Sequence, residues 1–210
     1  CLLGERCSVS FAEDRPLVVL PSTDDGLPGA GPIRRQDWFR NVWNKRQADF
    51  AKDFETKQGA VVFLGDSITQ GWGPDLKNSF PGLLVANRGV SGDTTRGMLI
   101  RLPKDVLALK PSAVVMLMGT NDLEEKATPE IIAGNIKLIL AELRQHNSNM
   151  PIVLCQVFPS SASKSRSAKD IKSLNALLAK VVRNNSQVTL LDTWTLFADT
   201  AGDAKKSEFP

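Results

Sequence analysis

Five short runs of nearly continuous apolar residues punctuate the chain at 60–64, 83–86, 113–118, 152–157 and 188–191. Four to six residues are too few for a core helix, and apolar side chains at consecutive positions point to both sides of a strand. The runs therefore predict strands buried on both faces of a sheet. Between them, the segments 93–109, 128–146 and 167–184 carry apolar residues at helical spacing and predict crossover helices. A further helix is expected from Asp37, read as its N-cap, to about Lys57, because Phe39, Trp43, Phe50 and Phe54 fall near one helical face. Residues 13–36, rich in Pro, Gly and Asp, show no period and predict an extended arm on the surface. Strands alternating with helices imply an α/β fold: a doubly wound, flavodoxin-like five-stranded parallel sheet in three α/β/α layers. The domain boundary falls between an N-terminal arm or linker, 1–36, and a folded domain, 37–210.

Composition narrows the class. The chain has 210 residues, 42% hydrophobic and 23% charged, which fits one globular domain. Lys and Arg number 26 against 23 Asp and Glu, and the two signs are interspersed, so no basic face for nucleic acid is expected. No apolar run is long enough for a membrane span. Residues 1–12, with small Ser10 and Ala12, resemble the end of a secretory signal, interrupted by Glu5 and Arg6. The expectation is a secreted or periplasmic protein, with the cytoplasm as the alternative. Cys1, Cys7 and Cys155 make no disulfide framework; Cys155 reads as a core filler, and Cys1 and Cys7 could pair only in an oxidising compartment. One histidine and three dispersed cysteines cannot build a zinc site, and no metal or other cofactor is implied.

In doubly wound sheets ligands bind beyond the carboxyl ends of the strands, and three polar loops follow three of the apolar runs. The first is Gly65-Asp66-Ser67-Ile68-Thr69. A serine at a strand-to-helix turn offers its hydroxyl as a nucleophile and its backbone N–H as one of the unbonded donors of a first helical turn. The competing reading is a capping box, Ser67 with Gln70. The second loop runs from Asn87 to Arg96. Gly89 and Gly92 permit close backbone approach and positive φ, so the Gly92 N–H can face a ligand, while Asp93 reads as a helix N-cap. The third is Gly119-Thr120-Asn121-Asp122, where a side-chain amide can donate to developing negative charge, or where Asn-Asp is simply turn chemistry.

The Gly-Asp-Ser block, the glycine at 92 and the Gly-x-Asn-Asp block together resemble the SGNH, or GDSL-type, hydrolases. Within that family, 92–96 and the run Leu190-Leu191-Asp192-Thr193 are similar to the catalytic subunits of intracellular platelet-activating-factor acetylhydrolase and their bacterial relatives. The resemblance spans residues 37–210. It implies a serine esterase acting on short acyl esters, chiefly acetyl, with Ser67 as nucleophile. The Ser67 and Gly92 N–H groups and the Asn121 side chain would form the oxyanion hole. The implied partner is a small-molecule ester, an acetylated carbohydrate or a lipid-like ester, and a homodimer is compatible with it.

The family takes its base from an Asp-x-x-His segment before its last helix, and these 210 residues contain none. The single histidine, His146, closes a predicted helix ahead of the fourth strand and so belongs to the amino edge. A six-residue strand is roughly 20 Å long, far beyond hydrogen-bond reach of Ser67. Asp192 reads as a loop organiser, and Asp199 and Asp203 as solvated loop residues. After the fifth strand only a polar stretch with Trp194 and Phe197 remains to cover the sheet. That leaves a natural continuation, or the arm and first helix, to cover the rest. The competing function is a non-catalytic carbohydrate- or ligand-binding domain that keeps the scaffold and lacks the base. A nucleotide binder is disfavoured by the absence of both glycine-rich phosphate motifs.

Overall fold

The structure is a computed structural model and describes residues 17–161 and 163–207. The signal-like segment, Cys1 and Cys7 lie outside the described residues.

The sheet comprises β1 (Val61–Gly65), β2 (Val85–Gly89), β3 (Ala113–Leu117), β4 (Ile152–Cys155) and β5 (Val188–Leu191). All pairings are parallel and the order is β2-β1-β3-β4-β5, the doubly wound arrangement. The crossover helices are α4 (Thr95–Asp105), α6 (Pro129–His146) and α7 (Ala168–Val182), preceded by α1 (Asp37–Asp53). Four short helices occupy stretches without a helical apolar stripe: α2 (Ser67–Gly71), α3 (Asp75–Ser79), α5 (Thr120–Glu124) and α8 (Trp194–Phe197).

One face of the sheet is fully covered. Val62, Leu64, Val114, Met116, Ile152 and Leu154 pack beneath Met98 and Leu102 of α4, Ile132, Ile136 and Ile139 of α6, and Ile171 and Leu174 of α7. The opposite face carries Phe63, which meets Trp72 and Phe80 in an aromatic cluster with centroids 4.9 to 6.1 Å apart. Burial alternates along β1 and β3, so Phe63 and Val115 are only half-buried. Strands buried equally on both faces are thus a correction to the sequence expectation: the apolar runs are continuous, but one face is packed more deeply than the other.

The second strand is displaced from its apolar run. Leu83 and Leu84 are 51% and 47% exposed, and the strand continues through Asn87 and Arg88. Arg88 is buried because it has partners: Asp53 at 2.7 Å, the Asp105 carbonyl at 3.2 Å and the Phe50 ring. A paired guanidinium can occupy a core position that apolarity alone would not assign to it.

The arm is not surface-lying. Leu20 and Ile33 are buried with Phe39, Trp43, Phe50 and Val90 in a second core. Ala30 exchanges two hydrogen bonds with the Asn135 side chain, and Arg96 donates to the Pro28 and Gly31 carbonyls and pairs with Asp24. Backbone groups that would otherwise be orphaned are satisfied by side chains of the domain. Nor does α1 cover the half-buried sheet face. Phe50 of α1 stacks on Arg88, which pairs in register with Leu64 and so shares the side where α4 and α6 lie. Asp37 is the first helical residue of α1, not its cap; Gln36 holds that place without a side-chain bond. Cys155 is buried as expected, and burial pushes its thiol up to about 11.

Candidate active site

β1, β2 and β3 end in register, Gly65 standing opposite Gly89 on one side and Leu117 on the other. The three polar loops therefore leave the sheet at one level, at the point where the strand order reverses.

Ser67 is the first residue of α2 and is exposed. The N-cap is Asp66, whose carboxylate accepts from the Ile68 N–H at 3.0 Å. The capping-box reading of Ser67 is thereby removed. Gln70 serves elsewhere, accepting from the Ser91 N–H at 2.7 Å and so tying the first loop to the second. That approach is close: a Cβ on Gly89 would stand 2.3 Å from the Gln70 backbone nitrogen.

Gly92 has φ +85°, a conformation in which side chains other than glycine's are strained. A Cβ there would also meet the Trp38 ring at 2.5 Å and an Arg34 nitrogen at 3.1 Å. Asp93 is a correction: the N-cap of α4 is Thr94, whose hydroxyl accepts from the Gly97 N–H. Asp93 instead pairs with Arg101 at 2.7 Å, both fully buried. Arg101 also donates to the Arg88 and Gly65 carbonyls, clamping the ends of β2 and β1 together. Nothing in the sequence pattern singled out Arg101, and an arginine inside a predicted amphipathic helix is the one signal available.

Asn121 lies in α5, not in a loop, and is only 3% exposed. Its Nδ2 donates to the Asp93 carbonyl at 2.9 Å and, more weakly, to Asp66 at 3.3 Å. The amide thus bridges the residue before Ser67 and the residue after Gly92, bringing all three sequence-derived candidates to one place. Beneath it, Asp122 accepts from the Thr95 N–H at 3.0 Å and from the Thr95 hydroxyl at 2.5 Å. Burial raises the carboxyls of this layer: Asp66 and Asp93 to about 6, the latter against the pull of Arg101, and Asp122 to about 7. Among the described residues, neither the Ser67 nor the Gly92 N–H donates a hydrogen bond.

His146 is not brought here. It is exposed at the end of α6, beside Lys110 and Pro111, which precede β3. Asp192 accepts from the Thr195 N–H at the start of α8, which holds its carboxyl below the usual range. Asp199 accepts from the Ala201 and Asp203 N–H groups in a surface turn. Besides Arg101, a second residue was missed. Arg34, from the arm, reaches Asn121 and is held by Glu124 and Glu125.

Among the described residues no helix is long and apolar enough to cross a membrane. Residues 63–210 match the model of the GDSL-like lipase/acylhydrolase family. The chain is 29% identical over 180 residues to the human platelet-activating factor acetylhydrolase IB subunit alpha2, covering 82% of this chain and 76% of the relative. It is 28% identical over 111 residues to an arylesterase of Vibrio mimicus, covering 47% and 56%. A GDSL-like lipase from Bacteroides thetaiotaomicron superposes with a TM-score of 0.63 at 28% identity, over 78% of this chain and 85% of the other.

Proposed function

The chain belongs to the GDSL-like lipase/acylhydrolase family and is an ester hydrolase of the SGNH type; on that premise we propose that Ser67 is its nucleophile and that the substrates are short acyl esters, chiefly acetyl. The observation that carries the reading is the pair of undonated N–H groups, on Ser67 and Gly92, in two loops joined by the Gln70–Ser91 bond, with Ser67 exposed and the Asn121 amide bonded to the neighbour of each, Asp66 and Asp93.

Ser67 Oγ attacks the ester carbonyl carbon, and the carbonyl oxygen gathers negative charge against three donors. Asn121 contributes the amide hydrogen now spent on the long contact to Asp66, while its other hydrogen stays on the Asp93 carbonyl and holds the group in place. The alcohol then leaves with the proton that Ser67 gave up, and water releases the acyl group from Ser67. The acceptor of that proton is, by the family resemblance, a histidine of an Asp-x-x-His segment, which these 210 residues do not contain. Export to an oxidising compartment belongs to the same reading and rests on residues 1–12.

The acetyl preference is supported by the acetylhydrolase named among the relatives. The test is labelling and turnover in the full-length protein. A fluorophosphonate should label Ser67, labelling should vanish in Ser67→Ala, and p-nitrophenyl acetate should be hydrolysed faster than the decanoate. The 210 residues alone, folded by circular dichroism, should retain no more than the ~10³–10⁴-fold over water that an oxyanion hole and binding supply without a base. An adduct on another serine refutes the nucleophile. A full-length protein that folds and binds acetylated sugars, yet hydrolyses no ester, would favour the non-catalytic binding domain.

A further inference from the structure

We infer that Arg34, which lies outside the residues matched by the family model, is a positioning residue of the oxyanion hole: it sets the orientation of the Asn121 amide and strengthens it as a donor. The inference rests on the reading of Asn121 as an oxyanion donor.

The guanidinium is almost wholly buried at the rim of the site and each of its nitrogens has an assigned place. Nε donates to Glu125 at 2.7 Å and Nη2 to Glu124 at 2.6 Å. Its Cζ lies over the Trp38 ring, 5.5 Å from the centroid. This leaves Nη1, which points at Asn121 Oδ1 at 3.4 Å and stands 3.1 Å from where a Cβ on Gly92 would be. One cation therefore borders two of the three proposed donors. The same Glu124 oxygen also accepts from Arg166 at 3.0 Å, so this carboxylate is held by two guanidinium groups.

An amide has two nearly isosteric ends, and which end faces the substrate decides whether it stabilises or repels an oxyanion. With Oδ1 toward Arg34, Nδ2 faces the Asp93 carbonyl and the site. A flipped amide would set its NH2 against the guanidinium and its oxygen against the Asp93 carbonyl, both repulsive. A cation on Oδ1 also withdraws electron density from the amide, making the N–H more acidic as charge develops opposite it. At 3.4 Å the contact is long for a hydrogen bond. Catalytic contacts of this kind tighten in the reacting complex.

The arm that carries this residue is anchored along its backbone. Its backbone is bonded by Asn135, Thr94 and Arg96 within six residues of Arg34, at Pro28, Ala30, Gly31 and Pro32. Such anchoring exceeds what a surface linker requires.

The experiment is a double-mutant cycle in the full-length protein with p-nitrophenyl acetate. Arg34→Ala should lower kcat by roughly 10- to 100-fold, the range of a charge-assisted hydrogen bond, with KM within about threefold. Guanidinium added below denaturing concentrations should restore part of the kcat, and ammonium should not. In an Asn121→Ala background, the Arg34→Ala change should cost less than about threefold, because its route through the amide is gone. If Arg34→Ala does not fold, Arg34→Lys takes its place: the ammonium can pair with Glu124 but cannot reach both carboxylates and Asn121, so the same loss is expected. Full additivity of the two losses, or an unchanged kcat, overturns the inference. An Asn121→Ala variant with unchanged kcat would instead overturn the oxyanion reading on which it rests.

Discussion

The carboxyl and amino edges of one sheet are built to different rules. At the carboxyl edge Asp66, Asp93, Asn121 and Asp122 are buried, and each oxygen or amide has a bonded partner: the Ile68 N–H, Arg101, the Asp93 carbonyl and Thr95. At the amino edge His146, Lys110, Arg144, Asn147 and Ser148 line an open, solvated groove. Burying carboxylates costs free energy that only a satisfied network offsets, and such a network holds its members in one geometry. The polar groups of the amino edge carry no such cost and no such order. A catalytic site belongs where polar groups are buried and fixed, and the one histidine of the chain stands at the other edge.

The difference can be broken most severely at Asn121. Asn121→Ala should lower kcat of the full-length protein for p-nitrophenyl acetate by ~10²–10³ with KM little changed, the cost of one oxyanion donor. Because the residue is buried and bridges two loops, thermal denaturation should also show a loss of about 1–3 kcal/mol. Loss of stability with kcat preserved would make Asn121 a structural strut.

Asp122 sharpens the electrostatic side. Its carboxyl is raised from 3.8 to about 7 by burial, which the Thr95 bonds offset only in part. The folded state therefore binds the proton more tightly than the unfolded chain, and stability falls as pH rises from about 4 to about 7, with no further loss from this group above that. The full effect is at most ~4 kcal/mol. Asp122→Asn should flatten that part of the profile, measured as Tm between pH 5 and 8. A wild-type Tm that rises over this interval would show that the ionised form is well solvated or paired.

The smallest effect is expected at the amino edge. His146→Gln should leave kcat, KM and the pH–rate profile within a factor of two, since a solvated side chain far from Ser67 has no part in the reaction. A collapse of activity would place the base at an edge where no geometry supports it.

Much of this was legible from residue order, for identifiable reasons. The runs at 113–118 and 152–157 contain β3 and β4, where apolar continuity goes with burial of alternate or successive residues, and the run at 188–191 coincides with β5 although that strand is only partly buried. The same rule failed at β2, where Arg88 is buried by its partners Asp53 and Phe50, contributed by a helix far away in the sequence. The short helices α2 and α5 had no stripe to reveal them, being about one turn each and set by the loops they end. Capping was misplaced three times, at Asp37, Ser67 and Asp93. At the last two the neighbouring residue, Asp66 or Thr94, had an oxygen better placed for the free N–H groups.

Spacing and residue type alone were enough to bring Ser67, Gly92 and Asn121 to one edge of a parallel sheet, because strand-to-helix loops in such sheets all open on the same side. They could not show that Asn121 is buried, that Asp66 and Asp93 hold its amide, or that an arginine from an arm without periodicity reaches across to its oxygen. Those facts depend on contacts between residues 28 to 87 positions apart. Local pattern records which face of an element is apolar; the partner of a buried charge is chosen only when distant segments meet.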